Sequence, residues 1–135
     1  MDTKEAAQRW ADTWQRAWQE RDTGSIVALY ADSVVYSSEP FRDPYRGRDG
    51  ARAYVAGAFA EEDDVRAWFG QPIVTEERAA IQWWASLREE GRDVTLAGTS
   101  ILTFDGDGSV VDQWDTWNTL DERRSPPHQW GRPPS

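Results

Sequence analysis

The chain has no cysteine, which excludes disulfide frameworks and thiolate metal sites. Histidine is nearly as scarce. His128 is the only one and stands in a proline-rich tail, so neither a histidine-based metal site nor a Ser-His-Asp triad is expected. Basic residues number 15 against 24 acidic ones, for a formal charge of −9. That balance opposes nucleic acid, which needs a basic footprint, and opposes docking on anionic membranes. Long hydrophobic runs are missing too. No signal-like apolar stretch opens the chain and no segment could span a bilayer, so a cytoplasmic location is expected. What the 135 residues do have is tryptophan, nine of them. The indole is bulky and its N–H needs a partner when buried, so this number points to a large core, an aromatic pocket, an adhesive surface, or all three.

Periodicity organises the rest. In DTKEAAQRWADTWQRAWQERDTG, Trp10, Trp14 and Trp18 recur every fourth position and form one helical stripe, with Asp2 as cap, Glu5 three places on and Gly24 as stop. A second helix is predicted over SIVALYA, starting at a capping Ser25, and SVVYSSEPF reads as a strand cut off by Pro40. RDPYRGRDG is turn-rich; RDGARAYVAGAFAEE reads as a third helix, with Asp49 in its first turn and Val55, Ala58 and Phe59 on its apolar face. The period then changes to two. VRAWFGQPIVTE is predicted as a strand bent at Gly70–Gln71–Pro72, RAAIQWWASLRE and DVTLAGTSILTF as strands joined through Glu90 and Gly91, and SVVDQWDTWNTL as a last strand after a turn at Asp105–Gly108. Helix, helix, strand, helix and four antiparallel strands make one α+β domain whose sheet folds over its helices. It takes residues 1–120, and 121–135 form a Pro-rich tail expected to pack on some surface through Trp130, either on its own domain or across a dimer. The runs EEDD (Glu61–Asp64) and REEGRD read as solvated charge. Asp105–Gly108 lacks the further carboxylates a calcium loop requires, so no metal site is expected there.

Three stretches, DTGSIVALYADSVVYSSEPF, YRGRDGARAYVAGAF and FDGDGSVVDQWDTWN, together with this element order, resemble the nuclear transport factor 2-like superfamily, and in particular its SnoaL-like, ketosteroid-isomerase-like and limonene-epoxide-hydrolase-like branches. The resemblance covers the chain up to about Leu120. It implies a cone-shaped, cystatin-like roll, with three helices packed on a strongly curved, mostly antiparallel sheet that encloses a cavity. The fold hosts isomerases, hydrolases, cyclases, dehydratases and non-catalytic binders alike. Carried over from the epoxide hydrolases, the first strand offers Tyr36 and, at the asparagine's place, Ser38, while the last-strand aspartate falls on Asp115. The Arg and Asp of their central strand fall near Trp83 and Ala85. In the ketosteroid isomerases the base precedes a proline, a place taken here by Glu39 before Pro40; the oxyanion tyrosine falls on Trp14 and the protonated aspartate near Ser100. SnoaL-like cyclases share the last-strand acid, again Asp115.

Alternation divides the last strand into Val111, Gln113, Asp115 and Trp117 on one face and Val110, Asp112, Trp114, Thr116 and Asn118 on the other. The resemblance puts the first set in the cone, with Gly98, Ser100, Leu102 and Phe104 and with Ile81, Trp83 and Ala85 from the preceding strands. Trp14, Trp18, Tyr36 and Tyr54 would stand near the mouth or floor. Such a lining suits a small apolar or aromatic molecule. Asp115 reads either as a desolvated base or water holder, with Tyr36 and Ser38 as partners, or as a carboxylate that merely pairs with a neighbour such as Gln113. Glu39 is a further candidate base or a strand-end charge paired with Arg42 or Arg46. The expected function is therefore a cofactor-independent enzyme of the isomerase, cyclase, dehydratase or hydrolase class working by general acid-base chemistry. The alternative is a non-catalytic binding or dimerisation module of the same fold. The opposite face, bearing Trp84, Ile101 and Trp114, is too apolar for a solvated sheet, so a homodimer through that face is expected. Sedimentation at micromolar concentration checks it: a dimer-sized species is expected, and a monomer-sized species alone would contradict it.

Overall fold

In the computed structural model, which describes residues 1–134, the first helix α1 (Thr3–Glu20) starts where the Asp2 carboxylate accepts a hydrogen bond from the Glu5 amide at 2.8 Å. Trp10, Trp14 and Trp18 lie on its buried face among Ala6, Ala7, Ala11 and Ala17. The alanines keep that face slim enough for three indoles to seat against the sheet. The helix ends earlier than the glycine signal suggests, because Arg21 takes a left-handed conformation (φ 55°). This frees Asp22, rather than Ser25, to cap the short α2 (Thr23–Val27) by accepting from the Ser25 amide. The predicted helix over SIVALYA is cut short for a tertiary reason. The Leu29 carbonyl accepts from the Val110 amide at 2.9 Å, which draws the chain into the sheet at Tyr30.

The strands are β1 (Tyr30–Ser37), β2 (Tyr45–Arg46), then, after α3 (Gly47–Glu61), β3 (Glu62–Phe69), β4 (Ile73–Thr75), β5 (Arg78–Glu89), β6 (Arg92–Phe104) and β7 (Val110–Leu120). They form one curled, open sheet in the order β2-β1-β7-β6-β5-β3, with β4 on β5. Every pairing is antiparallel except that of β1 with β7, which is parallel and brings the first long strand beside the last. Gly70, Gln71 and Pro72 break the expected bent strand into β3 and β4. A register shift between Thr103 and Phe104, opposite Val110 and Asp112, buries Val110 in place of Val111. Beyond that bulge the alternation holds, and Gln113 and Asp115 face the helices. No helix among the described residues is long and apolar enough to cross a membrane.

The tail binds the outer face of the sheet. The Trp84 indole N–H donates to the Arg124 carbonyl at 2.7 Å, and Trp130 packs edge-on against the Trp84 ring. The Gln71 amide donates to the Gly131 carbonyl at 2.7 Å, a closeness that needs glycine on both sides, since a Cβ on Gly70 would lie 2.9 Å from the Gly131 Cα. Trp114 on the same face stays 43% exposed.

Gly98 is the tightest point of the inner wall. It sits between Trp83 and Trp117 in the register, and a Cβ there would press on the Thr116 carbonyl, come 2.7 Å from the Trp117 Cβ and 2.8 Å from the Trp83 ring. Overpacking of this kind costs about 1–3 kcal/mol. Gly98→Ala is therefore expected to lower unfolding stability by about that amount in a urea titration, and an unchanged midpoint would show that the wall yields at no cost.

Candidate active site

Between α1, α3 and the inner face of the sheet lies a cavity of about 80 Å³, lined by sixteen residues, nine of them aromatic. A single water needs about 10–15 Å³ of such space, so the cavity suits a molecule of roughly five to eight non-hydrogen atoms. Tyr36 from β1, Ser100 from β6, and Gln113 and Asp115 from β7 supply polar groups at one end.

Asp115 is buried with only 6% of its surface exposed and accepts three hydrogen bonds. Tyr36 Oη donates to Oδ2 at 2.8 Å; Ser100 Oγ and Gln113 Nε2 donate to Oδ1 at 2.6 and 3.0 Å. The directions are fixed by tryptophans, whose indole N–H can donate but never accept. Trp83 donates to Ser100 Oγ at 2.9 Å, so the serine hydroxyl proton is free to point at Asp115. Trp10 donates to Gln113 Oε1 at 3.2 Å and Tyr30 Oη does so at 2.8 Å, which turns the amide nitrogen toward Asp115. Oδ1 is thus saturated by two oriented donors, and Oδ2 is the atom left to take a proton. The three hydrogen bonds favour the ionised carboxylate, and its removal from water opposes ionisation. Burial prevails: it holds the Asp115 carboxyl above the ordinary aspartate range, while the bonds from Ser100, Gln113 and Tyr36 pull the other way. Burial, reinforced by the negative charge of Asp115, keeps the Tyr36 hydroxyl well above the usual tyrosine range, so it stays a donor.

A second acid lines the same cavity. Glu62, the first residue of β3, is 6% exposed and accepts from the Trp18 indole N–H at 2.8 Å. Burial raises its carboxyl to about 7; the Trp18 bond opposes this, and Glu89 and Glu61 add to it. The Glu61–Asp64 run, read from sequence as solvated charge, is therefore divided. Glu61, Asp63 and Asp64 are exposed and Glu62 points inward. Trp10 serves the Asp115 end and Trp18 the Glu62 end. Eight residues of helix separate them, or about 12 Å along the axis at ~1.5 Å per residue. Trp14 lies between and is the only buried side-chain polar group among the described residues whose N–H finds no partner.

The sequence-derived candidates divide as follows. Asp115, Tyr36, Trp14, Trp18, Tyr54, Trp83, Ser100, Gln113 and Trp117 all line the cavity. Leu102 is fully buried behind the wall and is core. Ser38 is buried beside Tyr54, whose hydroxyl burial pushes up to about 12 against the opposing bond from Ser38. It is not among the lining residues. Glu39 stands outside the cavity and pairs with Arg42. Nothing in local sequence marked Glu62, since its partner Trp18 is 44 residues away. The available signal was Trp18 itself, an indole at the end of a buried stripe that must find an acceptor.

A curled sheet wrapped round helices, with a cavity at the centre, defines the nuclear transport factor 2-like class, and solved structures of that shape are similar to this one. SalBIII, an epoxide hydrolase/cyclase-like enzyme in pyran ring formation in the polyether salinomycin, matches with a TM-score of 0.73 at 16% identity, over 84% of this chain and 91% of that one. An NTF2-like protein of unknown function from Exiguobacterium sp. 255-15 matches at 0.70 and 17% identity, over 84% and 98%. RV0760c from Mycobacterium tuberculosis matches at 0.73 and 16% identity, over 89% and 98%. By sequence, residues 8–113 match the SnoaL-like domain, and the chain belongs to that family. Compared with curated proteins, it has no match.

Glu62 makes stability depend on pH with a definite sign. Between the ordinary glutamate range and about 7 the folded protein keeps a proton that the unfolded chain has released, so stability falls as pH rises through that window. Glu62→Gln retains an acceptor for Trp18 and removes the titration. From about pH 5 to pH 8 the variant is expected to lose on the order of 2–3 kcal/mol less stability than the parent in chemical denaturation. Parallel pH curves would contradict this.

Proposed function

We propose that the protein is an acid-base enzyme, independent of any cofactor, that acts on a small, largely apolar or aromatic molecule held in the tryptophan-lined cavity. The observation that carries this reading is the buried Asp115 carboxylate, with Oδ1 saturated by oriented donors and Oδ2 open to receive a proton. A carboxyl raised by burial is a better base than a solvated one once ionised, because its proton affinity moves toward that of the group it must deprotonate. Tyr36 shares Oδ2 and remains protonated, so it can follow the charge as Asp115 is neutralised.

Glu62 supplies the complementary role. A carboxyl titrating at about 7 is partly protonated at neutral pH and can give a proton to a developing oxyanion or leaving oxygen at the other end of the cavity. One proton is taken at Asp115 and one is returned from Glu62, a division that suits ring closure, isomerisation, dehydration and hydrolysis. The fold shared with SalBIII, an epoxide hydrolase/cyclase-like enzyme, supports ring closure and hydrolysis among these. The aromatic walls keep water from both carboxyls, which strengthens their electrostatic action. The fold also hosts non-catalytic binders, and such a module would use the same walls without needing either acid to titrate. For assembly, the exposed Trp114 supports pairing of two copies through the part of the outer face that the tail leaves open.

Small ketones, epoxides and hydroxylated compounds, screened for turnover, are the substrates to test. Asp115→Asn is expected to cut turnover by about 10²–10⁴-fold, the usual share of a general base, with ligand affinity kept within a few-fold. The pH-rate profile is expected to be bell-shaped, rising as Asp115 ionises and falling above about 7 as Glu62 loses its proton. An active Asp115→Asn variant, or a profile flat across both limbs, would overturn the assignment.

A further inference from the structure

Both cavity acids are buried without a counter-ion. None of the ion pairs among the described residues includes Asp115 or Glu62, and the cavity lining contains no lysine, arginine or histidine. The Arg21 guanidinium donates to the backbone carbonyl of Glu62 at 3.1 Å, not to its carboxylate. Buried carboxylates are ordinarily paired with a cation or forced to stay protonated. Here the protein supplies hydrogen-bond donors and leaves the opposite charge missing.

The remaining walls have the complementary chemistry. Five tryptophans, two tyrosines and two phenylalanines surround the space. Aromatic faces carry negative potential and attract cations, tryptophan most strongly, and they do so best where water is excluded. The indoles of Trp18 and Trp83 meet nearly edge to face with centroids 5.6 Å apart, and Trp83 and Trp117 are 6.2 Å apart. A charged group placed among them would meet several aromatic surfaces at once. The whole chain adds a field of the same sign: its formal charge of −9 attracts cations and repels anions.

We propose that the molecule bound in this cavity carries a positive charge: a small organic amine or quaternary ammonium whose cationic group sits among the tryptophans and provides the counter-charge that Asp115 and Glu62 lack. The proposal rests on the cavity being the ligand site, as the proposed function requires, but it does not depend on catalysis. It excludes carboxylate and phosphate ligands, for which the cavity has two acids and no base. It also explains why two acids persist in an otherwise apolar space. With the cation bound, one acid can ionise against it while the other keeps its proton; with the space empty, burial holds both toward their neutral forms.

The test compares isosteres. Choline and dimethylbutanol have the same shape, with a tert-butyl group replacing the trimethylammonium, and their seven non-hydrogen atoms suit the space. Binding is read by tryptophan fluorescence and isothermal titration calorimetry on the full chain, with tetramethylammonium as a second cation. Choline is expected to bind at least about tenfold more tightly than dimethylbutanol, as a desolvated cation–π contact predicts. The preference should shrink several-fold in Glu62→Gln and in Asp115→Asn, each checked for folding by circular dichroism. Equal affinity for the two isosteres, tighter binding of the neutral one, or no binding of either cation by the wild-type protein overturns the proposal; the wild-type comparison alone decides it if a variant misfolds. A neutral compound turned over by an Asp115-dependent route would remove the cation and leave the acid-base reading standing. Cation binding with no reaction found would do the reverse.

Discussion

The donor-only character of the indole N–H orders the interior of this protein. Trp10 and Trp83 each present a proton to a residue that could otherwise point either way, Gln113 and Ser100, and so turn both toward one carboxylate. Asp115 can remain in an apolar cavity because these donors converge on it. The donors can be spent there because β1, β6 and β7 lie side by side and α1 crosses their inner face. Were the tryptophans replaced by phenylalanine, the walls would stay aromatic but the hydrogen-bond directions would be lost.

The topology follows from the same requirement. Parallel pairing of β1 with β7 sets Tyr36 beside Gln113 in the register, two residues from Asp115, and allows the tyrosine hydroxyl to reach Oδ2. Antiparallel pairing of β6 with β7 sets Ser100 directly opposite Asp115. Gly98, two residues earlier on β6, leaves room for Trp83 and Trp117 to converge over the backbone, and thereby brings Trp83 within reach of Ser100. Fold and site are thus parts of one arrangement.

Much of the fold was legible because two signals were strong. The four-residue spacing of Trp10, Trp14 and Trp18 specified the buried face of α1, and the clean alternation of β5, β6 and β7 separated inner from outer residues. Bounds for β5 follow the sequence pattern to the residue. Alternation also separates Asp115 from Trp114 and Thr116, and the structure follows that division. What escaped depended on distant partners. The early entry into β1 at Tyr30 answers to Val110, and the bulge that exchanges Val111 for Val110 answers to Phe104. Glu62 was hidden in a run of four acids whose only inward member is set by where α3 hands over to β3. An acid run averages to solvated charge in any local window, and only the Trp18 contact distinguishes the one that is not.

The central claim is that Asp115 is a desolvated carboxylate whose charge is held by oriented donors rather than by a cation of the protein. A carbon-detected NMR titration of its carboxyl group, assigned with Asp115→Asn, tests that most directly. A pKa above that of a solvent-exposed aspartate, rising further when Trp83→Phe releases Ser100, is the expected result. A value at or below the ordinary one, unmoved by Trp83→Phe, would mean that Asp115 is solvated or paired and that the tryptophan network does not govern it.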